Sequence, residues 1–303
     1  MTLLAVRGAG SLAGIESTLD KPSVPDRWAQ DDETSPFPSA GRSGELADRP
    51  LVPPGTVPLV LLHAFPLSSV MWRGFSDDLP ELPILEIDLP GAGLSPCIEP
   101  VTLTAAGLAV ATSLQELGVT RAVVAGVSMG GYVAMRLLMD HPELTVGLAL
   151  MHTKATADSD DSVRARLNVA REVMRTGSVG SLRPMAGRMI SAESAQAQPG
   201  LVERVEGWIG EASPAGVAWA EEAMASRQDS MALLRAAGLP SMVVAGELDP
   251  FSSLTDSEAM VTALGPRANL VVLAGVGHLS PLETTHSMAR TMREFYRRCI
   301  GWP

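Results

Sequence analysis

Residues 121–139 read RAVVAGVSMGGYVAMRLLM, which places a strand, a sharp turn and a helix in immediate succession. Arg121 to Ala125 is a short apolar run typical of a buried strand, and residues 129–139 carry a helical pattern. The turn between them, Gly126-Val127-Ser128-Met129-Gly130, fits the pattern G-x-S-x-G. In a strand–turn–helix context this pattern predicts an exposed nucleophilic serine.

Physical constraints explain why glycine and serine occupy these positions of the turn. A side chain at Gly126 or Gly130 is expected to collide with neighbouring backbone, and the sharp turn is expected to hold Ser128 in a strained conformation. Ser128 also lies at a helix N-terminus, where N–H groups favour a developing negative charge. A glycine-rich turn capped by a serine would give the same pentapeptide without any chemistry, so other residues must distinguish the two interpretations.

Further apolar runs of strand length alternate with helical segments along the chain. The runs cover residues 57–62, 84–89, 145–151, 241–245 and 268–273. One helix is predicted from a cap at Ser68 to Leu79, and the last helix from Glu283 to Ile300. This alternation predicts an α/β fold with a mostly parallel central sheet flanked by helices.

The alternation also predicts the domain organisation. Residues 154–238 show helical periods without a strand-like run, and we interpret them as a helical cap inserted into a core of residues 56–153 and 239–303. Residues 1–55 are polar and rich in proline, which predicts a disordered N-terminal arm. Because this arm contains no recognisable pair of strands, the sheet is expected to begin at Val57.

A serine is a weak nucleophile until a base takes its proton. Of the five histidines, His278 lies in a glycine-flanked loop after the last predicted strand, where parallel sheets place their sites. Asp249, just beyond the strand 241–245, is the candidate acid to orient the imidazole, and Glu247 is its local rival. His152 also follows a strand, but nothing in the sequence fixes its role.

An oxyanion hole needs two preorganised N–H donors. Met129, directly after the serine, is one candidate. The other is expected from the loop His63-Ala64-Phe65-Pro66, and because Pro66 has no N–H, Phe65 is the candidate. His63 is expected to hold this loop by hydrogen bonds rather than to act as a base.

Together these motifs resemble the α/β-hydrolase superfamily, in its branch of small esterases, perhydrolases and enol-lactonases. The resemblance covers about residues 57–300 and rests on the motifs HAFP from His63, DLPGAGLS from Asp88, GVSMGG from Gly126, GELD from Gly246 and GH at 277–278. It implies a helical cap, no cofactor, no metal, and five site residues: the triad Ser128, Asp249 and His278 with oxyanion donors Phe65 and Met129. Ala64 departs from the family pattern, which has glycine there.

Composition and charge argue against several other classes. A formal net charge of −11 and a pI of about 4.9 disfavour binding to nucleic acid or to anionic membranes. Two cysteines are too few for a disulfide scaffold or a four-cysteine zinc site. No apolar run reaches membrane-spanning length and no export signal is recognised, so a cytoplasmic location is expected. The oligomeric state is not indicated.

The predicted function is a serine hydrolase that cleaves a carboxylic ester or lactone with an apolar acyl part, through an acyl-enzyme on Ser128. Serine at this position disfavours epoxide hydrolases and haloalkane dehalogenases, which the resemblance associates with aspartate. An enol-lactonase or a C–C bond hydrolase would use the same triad, and a pathway thioesterase or cyclase is less favoured. A non-catalytic ligand-binding protein is the alternative from another class.

Overall fold

The structure is a computed structural model that describes residues 3–8, 51–53 and 55–301. Within these ranges a seven-stranded sheet has the strand order β1-β3-β2-β4-β5-β6-β7. The strands are β1 (Val6–Gly8), β2 (Leu59–Leu62), β3 (Ile84–Ile87), β4 (Ala122–Val127), β5 (Thr145–Met151), β6 (Ser241–Gly246) and β7 (Ala268–Leu273).

All strand pairs except that of β1 with β3 are parallel. The inner strands β2, β4 and β6 are buried along their whole length, because helices cover both faces of the sheet. This explains their continuous apolar runs, while the edge strand β7 is partly exposed. The predicted α/β fold with a mostly parallel sheet is confirmed.

The expectation that the sheet begins at Val57 is wrong. Val6–Gly8 forms an antiparallel edge strand against β3. Leu4 just before it is buried, and its N–H donates to Ser113 Oγ at 3.0 Å. A three-residue strand is too short to show an alternating pattern, so the sequence gives little sign of it. The rest of the predicted arm, residues 9–50, lies outside the described residues.

The helices alternate with the strands as the sequence predicts. They are α1 (Leu103–Glu116), α2 (Met129–Asp140), α3 (Asp160–Thr176), α4 (Ala186–Met189), α5 (Ala192–Ala197), α6 (Leu201–Glu211), α7 (Pro214–Ala225), α8 (Met231–Ala236), α9 (Leu254–Leu264), α10 (Ser280–Glu283) and α11 (Thr285–Ile300). No helix within the described ranges combines the length and the apolarity needed to cross a membrane.

Two predicted helices differ from the observed elements. The helix expected between Ser68 and Leu79 is two 3₁₀ turns, Ser69–Trp72 and Ser76–Asp78. Gly74 lies between these turns at φ 82°, a left-handed conformation that an α-helix cannot continue. The last helix begins at Thr285 rather than Glu283, since the short α10 precedes it.

Residues 154–238, all of them described, contain the helices α3 to α8 and no strand. One contact between this segment and the rest of the molecule requires glycine on both sides. A Cβ at Gly216 would overlap the Gly91 carbonyl, and a Cβ at Gly91 would overlap Gly216. Nearby, Trp219 Nε1–H donates to the carbonyl of Ile98 at 2.7 Å. These contacts fix α7 over the loop that follows β3.

Candidate active site

The turn from β4 into α2 holds Ser128 at φ 54° and ψ −113°, a conformation that a residue with a side chain rarely adopts. The end of the neighbouring strand β5 and the residues just after it hold this turn from both sides. The Ser128 N–H donates to the Met151 carbonyl at 2.9 Å, and Thr153 Oγ1 donates to the Ser128 carbonyl at 2.8 Å. The strained serine therefore has its backbone fixed from outside the turn.

The glycines around Ser128 allow three pieces of backbone to meet. A Cβ at Gly126 would overlap the backbone of Gly130, and a Cβ at Gly130 would overlap the Leu62 carbonyl at the end of β2. The predicted collisions at both glycines are confirmed. Since α2 begins at Met129, the helix N-terminus points its free N–H groups toward the serine.

The structure brings Asp249, and not Glu247, to the imidazole of His278. His278 Nδ1 lies 2.9 Å from each carboxylate oxygen of Asp249. Glu247 instead accepts a hydrogen bond from the Gly275 N–H at 3.0 Å. Because a carboxylate only accepts, Nδ1 of His278 carries the proton, and Nε2 is the basic atom of the neutral ring.

Asp249 is an ionised carboxylate held by several donors. Its Oδ1 accepts from the Phe251 N–H at 2.8 Å, and its Oδ2 accepts from Ser252 Oγ at 2.6 Å. Burial opposes ionisation, but hydrogen bonds from His152 and His278 outweigh that effect and hold the pKa of Asp249 well below its usual range. The negative charge that stabilises an imidazolium is therefore already present.

His152 is a second histidine on the same carboxylate, and sequence reasoning did not assign it this role. Its Nδ1 lies 3.2 Å from Asp249 Oδ2, and its Nε2 lies 2.8 Å from Ser280 Oγ. Burial lowers the pKa of His152, so the ring is neutral, donates to Asp249 and accepts from Ser280. The one indication in the sequence was the position of His152 directly after β5, the strand that pairs with β4.

Glu283 holds the loop that carries His278, and sequence reasoning missed it as well. Its Oε2 accepts from the N–H groups of Gly277 at 2.8 Å and Ser191 at 2.9 Å. Its Oε1 accepts from the Leu279 N–H at 2.9 Å. One buried carboxylate thus binds the backbone on both sides of His278 and a residue of the 154–238 segment.

Phe65 and Met129, the predicted oxyanion donors, lie in adjoining segments. Met129 is the first residue of α2, where the N–H has no partner within the helix. Phe65 follows β2 in a loop that His63 holds. His63 Nε2 accepts from the Leu89 N–H at 2.9 Å, and its Nδ1 lies 3.0 Å from the Ala64 carbonyl. These two contacts confirm the expected structural role of His63, and burial lowers the pKa of its ring.

A cavity of about 280 Å³ brings Ser128, His278 and Phe65 together. Its apolar part includes three methionines of the 154–238 segment: Met185, Met189 and Met224. Methionine walls adapt to apolar groups of different shapes. The arrangement can therefore hold an acyl chain beside a serine and a histidine.

His152, Asp249 and His278 also have the spacing of a metal site, with one ligand atom from each residue lying within 4.8 Å of the others. Both Nδ1 atoms are already engaged in hydrogen bonds with Asp249. A metal would have to replace these protons, so the donor set fits a hydrogen-bonded triad better than a metal site.

Residues 57–285, most of the chain, match the family model described as the alpha/beta hydrolase fold. The chain belongs to this family. The resemblance inferred from the sequence is confirmed, including its kinship with esterases and enol-lactonases.

Three relatives illustrate the range of this α/β-hydrolase family. An esterase from Thermogutta terrifontis, solved with malate bound, is 33% identical with a TM-score of 0.77, covering 81% of this chain and 91% of that one. 3-Oxoadipate enol-lactonase 1 of Acinetobacter baylyi is 24% identical, over 71% of this chain and 78% of its own. Lipase LipV of Mycobacterium tuberculosis is 34% identical over 35% of this chain, and the match spans only 41% of the lipase.

Proposed function

We propose that this α/β-hydrolase is a serine hydrolase that cleaves carboxylic esters or lactones through an acyl-enzyme on Ser128. The observation that carries the proposal is the Asp249–His278 pair, joined at 2.9 Å, at a cavity that Ser128 also lines. An activated serine requires a base within the site and a third group that orients the base. The proposal includes no cofactor and a cytoplasmic location.

The mechanism proceeds in two acyl-transfer steps. His278 Nε2 takes the proton of the Ser128 hydroxyl as Oγ attacks the substrate carbonyl, and the N–H groups of Phe65 and Met129 stabilise the oxyanion. The C–O bond to the leaving alcohol then breaks, and the imidazolium gives that alcohol its proton. Water, deprotonated by His278, attacks the acyl-enzyme and releases the acid and the free serine. Asp249 stays ionised throughout and stabilises the imidazolium.

A lactone is the second candidate substrate within this mechanism. In a lactone the leaving alcohol is part of the acyl chain, so the same residues would open the ring without any added group. Support comes from the similarity to 3-oxoadipate enol-lactonase 1, which extends over 71% of this chain. No residue of the site specifically favours a C–C bond hydrolase, a thioesterase or a cyclase.

Hydrolysis of p-nitrophenyl esters and of simple lactones tests the proposal. Ser128→Ala should lose on the order of 10³-fold or more in kcat with an unchanged circular dichroism spectrum. Ser226→Ala, at the end of α7, is the matched control and should retain the rate. Near-normal turnover by Ser128→Ala would show that the nucleophile is wrong. No Ser128-dependent turnover by the wild type would favour the ligand-binding alternative.

A further inference from the structure

The cavity beside Ser128 has a polar end that contains more positive than negative charge. Lys154, Arg166 and Asp158 line this end, and Asp158 is the only carboxylate among the described residues that line the cavity. The methionines described above line the same cavity. A ligand in this cavity therefore meets both apolar side chains and charged groups.

The arginines at this end are neutralised by carboxylates. Arg166 Nε lies 2.7 Å from Asp158, and Arg166 also lies 2.8 Å from Glu221. Arg227 contacts the other oxygen of Asp158 at 2.7 Å. Two arginines and two acidic residues thus form one connected network, and neither arginine carries a charge left over for a ligand.

The charge states of the two carboxyl groups agree with this network. Burial opposes ionisation of Asp158, yet Arg166, Arg227 and Lys154 together keep the pKa of Asp158 below its usual value. Burial raises the pKa of Glu221 in spite of the neighbouring Arg166. The sum over the network and Lys154 is at least one positive charge.

Lys154 adds a third cation to the two arginines and two carboxylates of this network, and its charge also helps to lower the pKa of Asp158. It forms no ion pair with any described residue, and it is the only lysine in the described ranges, since the other lysine is Lys21. It is also close to the nucleophile along the chain, because the preceding residue, Thr153, donates a hydrogen bond to the Ser128 carbonyl. A net positive charge in a concave, partly apolar site attracts anions more strongly than the same charge on an open surface.

We propose that Lys154 binds a carboxylate of the substrate, so that the preferred substrates are esters or lactones with a free carboxylate a short chain away from the reacting carbonyl. This inference rests on the proposed ester hydrolysis and names its substrate class. The chain between the two carbonyl carbons must be short because Lys154 and Ser128 line one cavity of about 280 Å³. The apolar wall then contacts the carbon chain of the substrate.

A pair of nearly isosteric esters tests the inference: monomethyl glutarate, which is an anion at neutral pH, and neutral dimethyl glutarate. The measured quantity is the ratio of kcat/KM for the anion to kcat/KM for the diester. We expect this ratio to exceed about ten for the wild type, as for one charge-assisted contact, and to fall about tenfold in Lys154→Met. Lys154→Arg should retain part of the preference.

Arg164→Met is the matched control. Arg164 lies on α3 near Arg166, but its side chain is exposed and pairs with Asp161, so its loss should leave the ratio unchanged. A higher salt concentration should lower the wild-type ratio, since screening weakens the contact with the anion only. Equal ratios for the wild type and Lys154→Met would overturn the inference.

Calorimetry with Ser128→Ala separates the inference from the proposed function, because this variant binds esters without needing to turn them over. Tighter binding of monomethyl glutarate than of the diester, lost when Lys154→Met is added, supports the carboxylate site even if the wild type hydrolyses neither ester. Hydrolysis of both esters by the wild type without any preference, together with equal binding, leaves the proposed function intact and refutes the site.

Discussion

Ser128, Asp249 and His278 come from three separate segments, and each is held by backbone contacts rather than by its own side chain alone. Ser128 is braced by Met151 and Thr153 of the adjacent segment. Asp249 Oδ1 accepts hydrogen bonds from the N–H groups of Phe251 and Ser252, and its Oδ2 accepts from the Ser252 hydroxyl. Such preorganisation means that little rearrangement is needed when the imidazole becomes charged.

Asp249→Asn is expected to lower kcat on the order of 10³-fold or more, because an amide cannot stabilise the imidazolium and disturbs the tautomer of His278. Glu247→Gln is the matched control with the same chemical change two residues away. It should stay near the wild-type rate, since Glu247 accepts only from the Gly275 N–H. If Glu247→Gln lost its activity and Asp249→Asn retained it, the assignment of Asp249 as the carboxylate that orients His278 would be wrong.

His152 should tune the basicity of His278 through the carboxylate that they share. In His152→Ala one donor to Asp249 is lost, more negative charge is available to the His278 imidazolium, and the acid limb of the pH profile of kcat/KM should move to higher pH. His152→Asn is the control, because its amide keeps a donor and asparagine tolerates the φ of 50° at this position.

The measurement is kcat/KM against pH for both variants. A limb that stays in place in His152→Ala, or moves equally in both variants, would mean that His152 has a packing role only.

Sequence patterns predict the site residues that lie in local motifs. They do not predict residues whose role depends on contacts with distant parts of the chain. Ser128 stands in a turn with a specific glycine spacing, and His278 and Asp249 follow strands at the expected places. His152 and Glu283 lie in no such motif. The hydrogen-bond partner of His152 is about a hundred residues away, and Glu283 binds backbone N–H groups, which no residue type marks in the sequence. Only the folded chain shows what they contact.

At the scale of elements, the loop between β7 and α10 is fastened to the 154–238 segment. The His278 N–H donates to the Met189 carbonyl at 2.7 Å, and Gly277 has no room for a Cβ beside the backbone of Met189 and Ser191. The His278 loop and the wall of the cavity therefore share one contact, to which Glu283 also contributes.

Glu283→Gln should weaken this contact, because one amide oxygen must replace a charged acceptor of three backbone N–H groups. We expect a loss of about 3 kcal/mol of stability and a lower kcat, as His278 loses its fixed position. Glu294→Gln on the exposed side of α11 is the control for the same substitution. Thermal unfolding and ester turnover measure both effects, and wild-type values for Glu283→Gln would show that the loop is held by other contacts.

The strands and helices were predicted correctly where their apolar pattern is long and regular. The strands Thr145–Met151 and Ala268–Leu273 have the predicted bounds, because runs of mostly apolar residues define them. The prediction of a helix over residues 68–79 is wrong. The apolar residues there have a helical spacing, but the left-handed conformation of Gly74 interrupts the helix. Buried Trp72 and Phe75, with ring centroids 5.5 Å apart, produce the same spacing from two short turns.

At the scale of the whole molecule, the N-terminal strand β1 is the main difference from the predicted fold, in which the sheet began at Val57. Arg7 lies 3.8 Å from the buried Asp88, and Asp88 accepts from the N–H groups of Ser69 and Leu94. β1 thus covers the edge of the sheet and contacts a residue that organises two loops near the site. Three residues gave too little pattern for this strand to be predicted.

Removal of residues 1–50 should therefore lower the melting temperature, because it uncovers the β3 edge and the pocket of Leu4. An internal deletion of residues 10–49 is the control that retains β1. It is geometrically feasible because Gly8 lies beside Leu51, where a Cβ at Gly8 would come within 3.3 Å of the Leu51 side chain. Equal melting temperatures for the 1–50 deletion and the full chain would show that β1 contributes no stability.

Intact-mass measurement after treatment with a fluorophosphonate tests whether Ser128 is an activated serine. Such a reagent phosphonylates a serine that a neighbouring base has activated. We expect a single adduct on the wild type and none on Ser128→Ala. A folded wild type that takes up no adduct, or a Ser128→Ala variant that is still labelled, would contradict this expectation.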